Sequence, residues 1–410
     1  MRRPFIALAC VLMAASAACG PSPDAAPLPV VRDSSGIRIV ENARTTSDRP
    51  AVRIRAEPAV TIGVVSGEAA LQLNGVVGAT RLGDGRIVIA NGGTRELRFF
   101  TAGGRHVRTA GGRGQGPGEF RWLQRLDRLP GDTLVASDLS PGRLLWFDSA
   151  GTYLSMTNHE IRGNEIPIIL ADASLLLPFY ESASFGNEFE LFAVGRRTAD
   201  PDGAFRPRFD LARLHRNGLV ADTIGRFPGE ELFKVHVPGT VDVTWYMPFA
   251  RRTLYTASGD QVWTLHSSRP EFAVYGLDGE LRMRVRFPSA PVPVANGDRT
   301  AFRASVEPRI NPNRRADFER WFADVPYAET KAVAAALLAG PEGTVWLQRP
   351  VPFGAASDVW SVFARDGTLL GDVALPAGTE PLEIGGDYLL ALWRDALDVE
   401  FVRMYRIDRA

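Results

Sequence analysis

The sequence predicts an all-β fold, a six-bladed β-propeller of four-stranded antiparallel blades, and three observations carry that reading. Short apolar runs alternate with Gly, Asp and Asn, while long helical periodicity is scarce; this is the pattern of short strands joined by tight turns. Two kinds of segment recur in strict order, six times each, which is the mark of a repeat architecture. The N-terminal part holds a strand that fits the one position the repeat leaves open.

The first recurring segment is a small or acidic pair followed by an apolar run. It reads DGRIVIAN (84–91), GDTLVASD (131–138), DASLLLPF (172–179), GDQVWTLH (259–266), EGTVWLQR (342–349) and GDYLLALW (386–393). The leading pair tolerates positive φ and suits a hairpin turn. The run is apolar at successive positions, so both faces are covered, as a strand between two neighbouring sheets requires.

The second segment is strand–turn–strand: LRFFTAGGRHV (97–107), LLWFDSAGTYL (144–154), LARLHRNGLVA (211–221), FAVYGLDGELR (272–282), WSVFARDGTLL (360–370) and FVRMYRIDRA (401–410). An aromatic stands four residues before the turn glycine at Phe100–Gly104, Phe147–Gly151, Tyr275–Gly279 and Phe363–Gly367. Leu214 replaces the aromatic before Gly218, and Arg409 replaces the glycine after Tyr405. Asn217-Gly218, Asp278-Gly279 and Asp366-Gly367 are strong hairpin signals.

One more strand precedes each pair: VVGATRL (76–82), RWLQRL (121–126), IPIIL (166–170), RTLYTA (252–257), AVAAALL (332–338) and PLEIG (381–385). AVAAALL favours helix by propensity and is placed as a strand by the repeat register. Each unit is therefore four antiparallel strands, A to D, and six units make six blades. The sixth ends at Ala410 with three strands. PAVTIGVVSGEAALQL (58–73) parallels HVRTAGGRGQGPGEFRWL (106–123), which makes residues near 51–63 the missing strand D. That pairing would close the ring without an open edge. GIRIVEN (36–42) reads as a further strand with no assigned partner.

GGRGQGPGEF (111–120) raises a separate question, because five glycines and a proline in ten residues suit a phosphate loop, a disordered patch or a repeat crossover. It matches neither the G-x-G-x-x-G nor the Walker spacing, and no strand-to-helix context follows. It falls between strand D of one blade and strand A of the next, so it reads as an inter-blade crossover, with Phe120 anchoring its end.

The N-terminus carries an address. Arg2 and Arg3 precede the apolar run FIALACVLMAASAA, which is a secretory signal and short for a membrane span. SAAC (16–19) resembles a bacterial lipoprotein signal, with Ser16 where that pattern prefers leucine. The resemblance implies lipid attachment at Cys19; ordinary cleavage nearby is the other reading. This gives a signal over 1–19, a Pro-rich tether over 20–32 and a propeller over 33–410. Cys10 and Cys19 are the only cysteines, so the mature domain has no internal disulfide or thiolate metal site. Lys plus Arg and Asp plus Glu balance at 47 each, so no basic field argues for nucleic acid.

GRGQGPGEF, with the strand that follows it and VASDLSPGRLLWFDSAGTYL (135–154), looks like an NHL-type repeat. The stretch from 33 to 410 resembles the bacterial six-bladed β-propeller lipoproteins of NHL/TolB-like type, with blades three to five departing through long insertions. The resemblance implies a fold and a binding role and supplies no catalytic motif.

Those insertions sort by position. A–B and C–D turns are tight, and the length sits in the B–C and D–A connections at 180–210, 225–251, 288–331 and 350–359. In a four-stranded blade these connections share one face, so one elaborated working face above blades three to five is expected. PNRRADFERWFADVPY (312–327) is a helix candidate, with Phe318, Trp321, Phe322 and Val325 on one side. It either packs on its own domain or binds a partner.

Strand B ends on Asn91, Asp138, Phe179, His266, Arg349 and Trp393 in register. Asn91, Asp138, His266 and Arg349 are candidate ligand-binding residues at the channel rim; polar strand ends that meet water and cap turns are the competing explanation. The leading function is an envelope-tethered, monomeric binding module for a protein, peptide or glycan, joined to the membrane, by expectation the outer one, through the lipid alone. No cofactor is predicted. The alternative is a lactonase-like propeller hydrolase or lyase with a divalent cation at the channel mouth, for which Asp138, Asn91 and Glu181 are possible donors. No catalytic residues are assigned: the five histidines lack metal-ligand spacing and no G-x-S-x-G elbow is present. An assembly subunit is a third possibility.

Overall fold

The computed structural model describes residues 28–43, 52–138, 142–158, 166–180, 203–235, 243–350 and 359–409. Each recurring unit forms an antiparallel sheet with its strands in chain order, and the whole has the architecture of a β-propeller. Sheet I holds Val76–Arg81, Ile87–Asn91, Glu96–Phe100 and His106–Gly111. Sheet II holds Leu123–Arg128, Leu134–Asp138, Arg143–Phe147 and Tyr153–Asn158. Sheet III holds Ile168–Ile169, Leu175–Tyr180, Arg208–Leu214 and Val220–Pro228. Sheet IV contains Thr253–Ser258, Gln261–His266, Glu271–Gly276 and Leu281–Arg286. Sheet V holds Leu337–Ala339, Val345–Gln348, Val359–Phe363 and Leu369–Ala374. Sheet VI holds Thr379–Ile384, Tyr388–Arg394, Glu400–Arg409 and Val52–Ile62.

The apolar B strands explain how the sheets adhere. Side chains alternate across a strand, and here each alternate set enters a different core. Val88 and Ala90 join Leu126, Leu134 and Phe147 between sheets I and II. Ile87 and Ile89 face the other way and join Leu390, Leu392 and Val402 of sheet VI. The same alternation places Val135 with Leu175 and Leu177, Leu176 with Val262, Trp263 with Val345 and Leu347, and Trp346 with Leu389 and Ala391. Each large apolar side chain so buried contributes roughly 1.5–3 kcal/mol, which holds together sheets that contain no cysteine.

Val52–Ile62 pairs antiparallel with Glu400–Arg409, Thr61 opposite Arg403 and Ile54 opposite Ile407. The strand without an assigned partner, Ile37–Glu41, lies parallel to Leu281–Arg286 on the outer edge of sheet IV. Val30–Ser34 pairs with it in turn, overlapping the expected tether at 30–32. Asn42 then ties this hairpin to sheet V: its Nδ2 donates to the Gly367 carbonyl at 3.0 Å and its Oδ1 accepts from the Leu369 amide at 2.8 Å.

The 111–120 segment joins sheets I and II. Gly111 has φ +82°, and a Cβ there would stand 2.6 Å from the Phe120 ring, which is fully buried. Arg143, itself buried, donates to the Gln115 and Glu119 carbonyls at 3.3 and 3.2 Å and pairs with buried Asp138.

The two long D–A connections fold together. Leu232–Val235 and Val243–Tyr246 form a hairpin, and Gly203–Phe205 adds a third strand. The other connection supplies helix α1 (Asn296–Val306) and helix α2 (Arg315–Asp324). Phe318 and Trp321 on α2, with Val325 just past its end, pack with Trp245 and Val235 of the hairpin and Val306 of α1; Trp245 stacks on Trp321 at 5.1 Å. The apolar stripe of α2 thus packs on its own chain. Helix α1 went unpredicted, since its apolar positions are few. Asp298 starts it by accepting the Ala295 amide at 2.9 Å and binds the Lys331 ammonium at 2.6 Å.

Two strand expectations need correction. RWLQRL begins its strand at Leu123, two residues late, because the Arg121 and Trp122 amides are taken by the Asp138 carboxylate. AVAAALL is not a strand over its length. Only Leu337–Ala339 is, because Val333 donates its amide to the Ser267 carbonyl instead of a strand B partner.

Candidate functional site

Strand B ends where the chain must turn into the next strand, and the polar residues there are used by the backbone. Asn91 is fully buried; its Oδ1 accepts the Asn74 amide at 2.8 Å and its Nδ2 donates to Thr94 Oγ1 at 2.7 Å. Asp138 accepts the Arg121 and Trp122 amides at 2.8 and 2.6 Å besides pairing with Arg143. Arg349 donates to Ser361 Oγ at 2.6 Å and to the Pro288 carbonyl at 3.1 Å, holding the crossover into sheet V. Three of the four rim candidates therefore clamp the chain entering their own sheet or bind its neighbouring strands.

His266 differs. Its Nδ1 meets Ser268 Oγ at 2.6 Å, while Nε2 is buried without a hydrogen-bond partner among the described residues. Burial, reinforced by the guanidinium of Arg206, lowers its pKa below the ordinary imidazole value; Glu231 acts in the opposite sense. Glu231 also pairs with Arg206 and accepts the Arg251 amide at 2.8 Å.

Beside this group the accessory layer meets sheet IV and leaves a cavity of about 570 Å³. Its propeller side is built from Glu230, Arg252, Ser267 and the small side chains of Ala332, Ala334 and Ala335; its layer side from Tyr246, Met247, Phe249 and Phe302. The propeller wall is stitched by Ser267: its Oγ accepts the Arg252 amide at 3.0 Å and its own amide donates to the Arg252 carbonyl at 2.9 Å. None of the four rim candidates lines the cavity, although Ser267 follows His266.

Two features set the cavity's chemistry. The Glu230 carboxylate lies 3.6 Å from the Arg252 guanidinium, yet burial raises its pKa above the usual carboxylate value despite that cation. Phe249 has φ +58°, a region costly for a bulky L-residue. It is held there between Phe302 and Tyr327, at 5.8 and 6.4 Å between ring centroids. An acid–base pair thus faces an aromatic wall, the mix of few polar groups and large apolar area found in ligand pockets. The sequence signal was only that both insertions share a face; Glu230 and Arg252 flank one insertion and Phe302 lies in the other, without a shared motif.

Among the described residues, no three His, Cys, Asp or Glu side chains converge as metal ligands would. No helix among them is long and apolar enough to cross a membrane. Cys19, Glu181 and residues 181–202 and 351–358 lie outside the described residues.

No family model matches the chain, and no curated protein matches it. Solved structures do. A member of the DUF4221 family from Bacteroides vulgatus has 10% identity and TM-score 0.47, covering 88% of this chain and 99% of its own. Virginiamycin B lyase from Staphylococcus aureus has 9% identity and TM-score 0.36, with 87% and 99% covered. The calcium-binding protein regucalcin from Agrobacterium tumefaciens has 11% identity and TM-score 0.35, with 83% and 93% covered. No activity or residue role is carried over from them.

Proposed function

We propose that this chain is a six-bladed propeller, closed by Val52–Ile62, that works as an envelope-tethered binding module and takes a short peptide in the 570 Å³ cavity. Six inter-sheet cores, one of them between sheets VI and I, support the blade count and the closure. The carrying observation for the ligand is the Glu230–Arg252 pair beside Phe249 and Phe302. The carboxylate suits an ammonium or amide donor, the guanidinium a carboxylate or carbonyl, and the aromatic wall an apolar side chain. The anchor is the lipid on Cys19, which labelling with a radioactive fatty acid in wild type and Cys19→Ser tests directly.

Calorimetric titration of the mature protein with short peptides bearing an aromatic side chain tests the binding role. Phe302→Ala and Arg252→Ala are expected to weaken affinity by about tenfold or more, as central pocket residues do. Absence of any peptide binding, together with a bound divalent ion and a chelator-sensitive melting temperature, would instead establish the metal-dependent hydrolase reading.

A further inference from the structure

A second site lies on the same class of connection but over sheets I and II. A hollow of about 340 Å³ is lined by Arg95, Arg113, Gly114, Gln115, Arg121 and Trp122. Arginines elsewhere in this chain are mostly matched to acids: Arg98 with Glu96, Arg125 with Asp127, Arg143 with Asp138, Arg286 with Glu41 and Glu271. Arg95, Arg113 and Arg121 have no ion pair and no side-chain hydrogen bond among the described residues. From these observations we infer that the hollow binds an anionic saccharide unit, a sugar ring bearing a carboxylate or a phosphate.

The nearby acids are engaged elsewhere. Both oxygens of Asp138 are taken by the Arg121 and Trp122 amides, and Arg143 neutralises it. Glu96 is held by Arg98. Glu119 folds back over its own loop, where its Oε2 accepts the Gly116 amide at 2.9 Å. Three like charges around one small space repel one another unless an anion joins them, and guanidinium forks match carboxylate and phosphate oxygens in pairs.

The backbone beneath each arginine is fixed beforehand. Arg95 sits at φ +63° with its amide donating to the Asn91 carbonyl at 2.8 Å. The Gly114 amide donates to the Phe120 carbonyl at 3.1 Å, next to Arg113. A Cβ on Gly114 would meet Glu119 Oε2 at 1.9 Å, so glycine is what lets the Glu119 carboxylate lie back against its own loop. Arg121 is oriented by Asp138. The buried Asp138–Arg143 pair is therefore a positioning device for this site, and the indole of Trp122 supplies a flat apolar wall against which a pyranose ring can stack. Arg95 lies 5.8 Å from the centre of that indole.

Titration of the full mature chain with glucuronate, glucose 6-phosphate, inorganic phosphate and glucose tests this assignment. Glucuronate or glucose 6-phosphate should bind about tenfold more tightly than glucose, and the affinity should fall with added salt. Arg113→Gln combined with Arg121→Gln should abolish that binding without lowering the melting temperature, since neither side chain has a partner to lose among the described residues and the repulsion between them is relieved. Trp122→Ala should erase the preference for the sugar phosphate over inorganic phosphate. Inorganic phosphate binding as tightly as glucose 6-phosphate to the wild type would overturn the saccharide assignment. No binding of any anion at about 10 mM, or equal binding by the double variant, would overturn the site itself.

Discussion

The 111–120 connection and the 288–331 connection occupy equivalent places, each running from the last strand of one sheet to the first of the next, and they are stabilised in opposite ways. The short one has glycine turns, one buried aromatic at Phe120 and a buried ion pair whose arginine grips the loop carbonyls. The long one carries its own apolar core, α1 and α2 stacked on the paired strands Leu232–Val235 and Val243–Tyr246. A crossover of ten residues cannot bury enough surface to hold itself, so polar clamps from the sheet fix it. A longer one becomes a small structural layer, and the seam where that layer meets the propeller is a cavity. The short design yields a rigid rim; the long one yields a container.

The largest expected effects separate these two designs. Asp138→Ala leaves Arg143 buried and uncompensated, a loss of about 3–5 kcal/mol that urea denaturation should register for the whole molecule. Asp138→Leu with Arg143→Met should recover only part of it, because the Arg121 and Trp122 amides and the Gln115 and Glu119 carbonyls lose their partners in the double variant as well. Trp321→Ala removes a buried indole worth about 3–5 kcal/mol, but confined to the accessory layer. Hydrogen exchange should rise at 232–246 and 296–325 while sheets I and II keep their protection. Equal loosening of both regions would show that the layer and the propeller are one cooperative unit, and the comparison would fail.

A smaller effect tests the glycine hinge. Gly111→Ala introduces a Cβ against the Phe120 ring at a left-handed φ, an expected loss of about 2–4 kcal/mol measurable by calorimetry. Smallest is the pH response of the cavity side. His266 has a lowered folded-state pKa, so the unfolded chain binds its proton more tightly, and its contribution strengthens as pH rises toward 6.5. Glu230 has a raised pKa, so its contribution is lost as pH rises from 4.5 through the folded value. His266→Gln and Glu230→Gln should therefore tilt the stability–pH curve in opposite directions between pH 4.5 and 7. Parallel tilts would mean that the local charges around the cavity have been misread.

The strands were legible in the sequence because burial on both faces leaves a plain signature. IVIAN and LVASD are buried at every position, and turns built on glycine beside Asp, Asn, Ala or Gly mark where most hairpins close. The pairing of 52–62 with 400–409 was legible because TIG repeats TAG. The partner of 37–41 was not, since parallel pairing on an outer edge needs no turn and leaves no local trace. Asn91, Asp138 and His266 end their strands and Arg349 follows the end of its own, yet Asn91 and Asp138 spend their oxygens on amides of incoming chain, which residue type alone cannot reveal. The cavity was invisible for a simpler reason: Glu230, Arg252 and Phe302 converge only after two insertions have packed on each other.

The N-terminal hairpin has a mechanical consequence. Residues 30–41 are zipped to the rim of sheet IV and Asn42 is stitched to sheet V before the chain reaches sheet VI. A pull applied at residue 28 would meet that outer zipper first and strain the Val52–Ile62 clasp only after it had opened. On the tethered reading proposed above, this hairpin is a sacrificial seam that would release slack under load while the inner sheets stay whole.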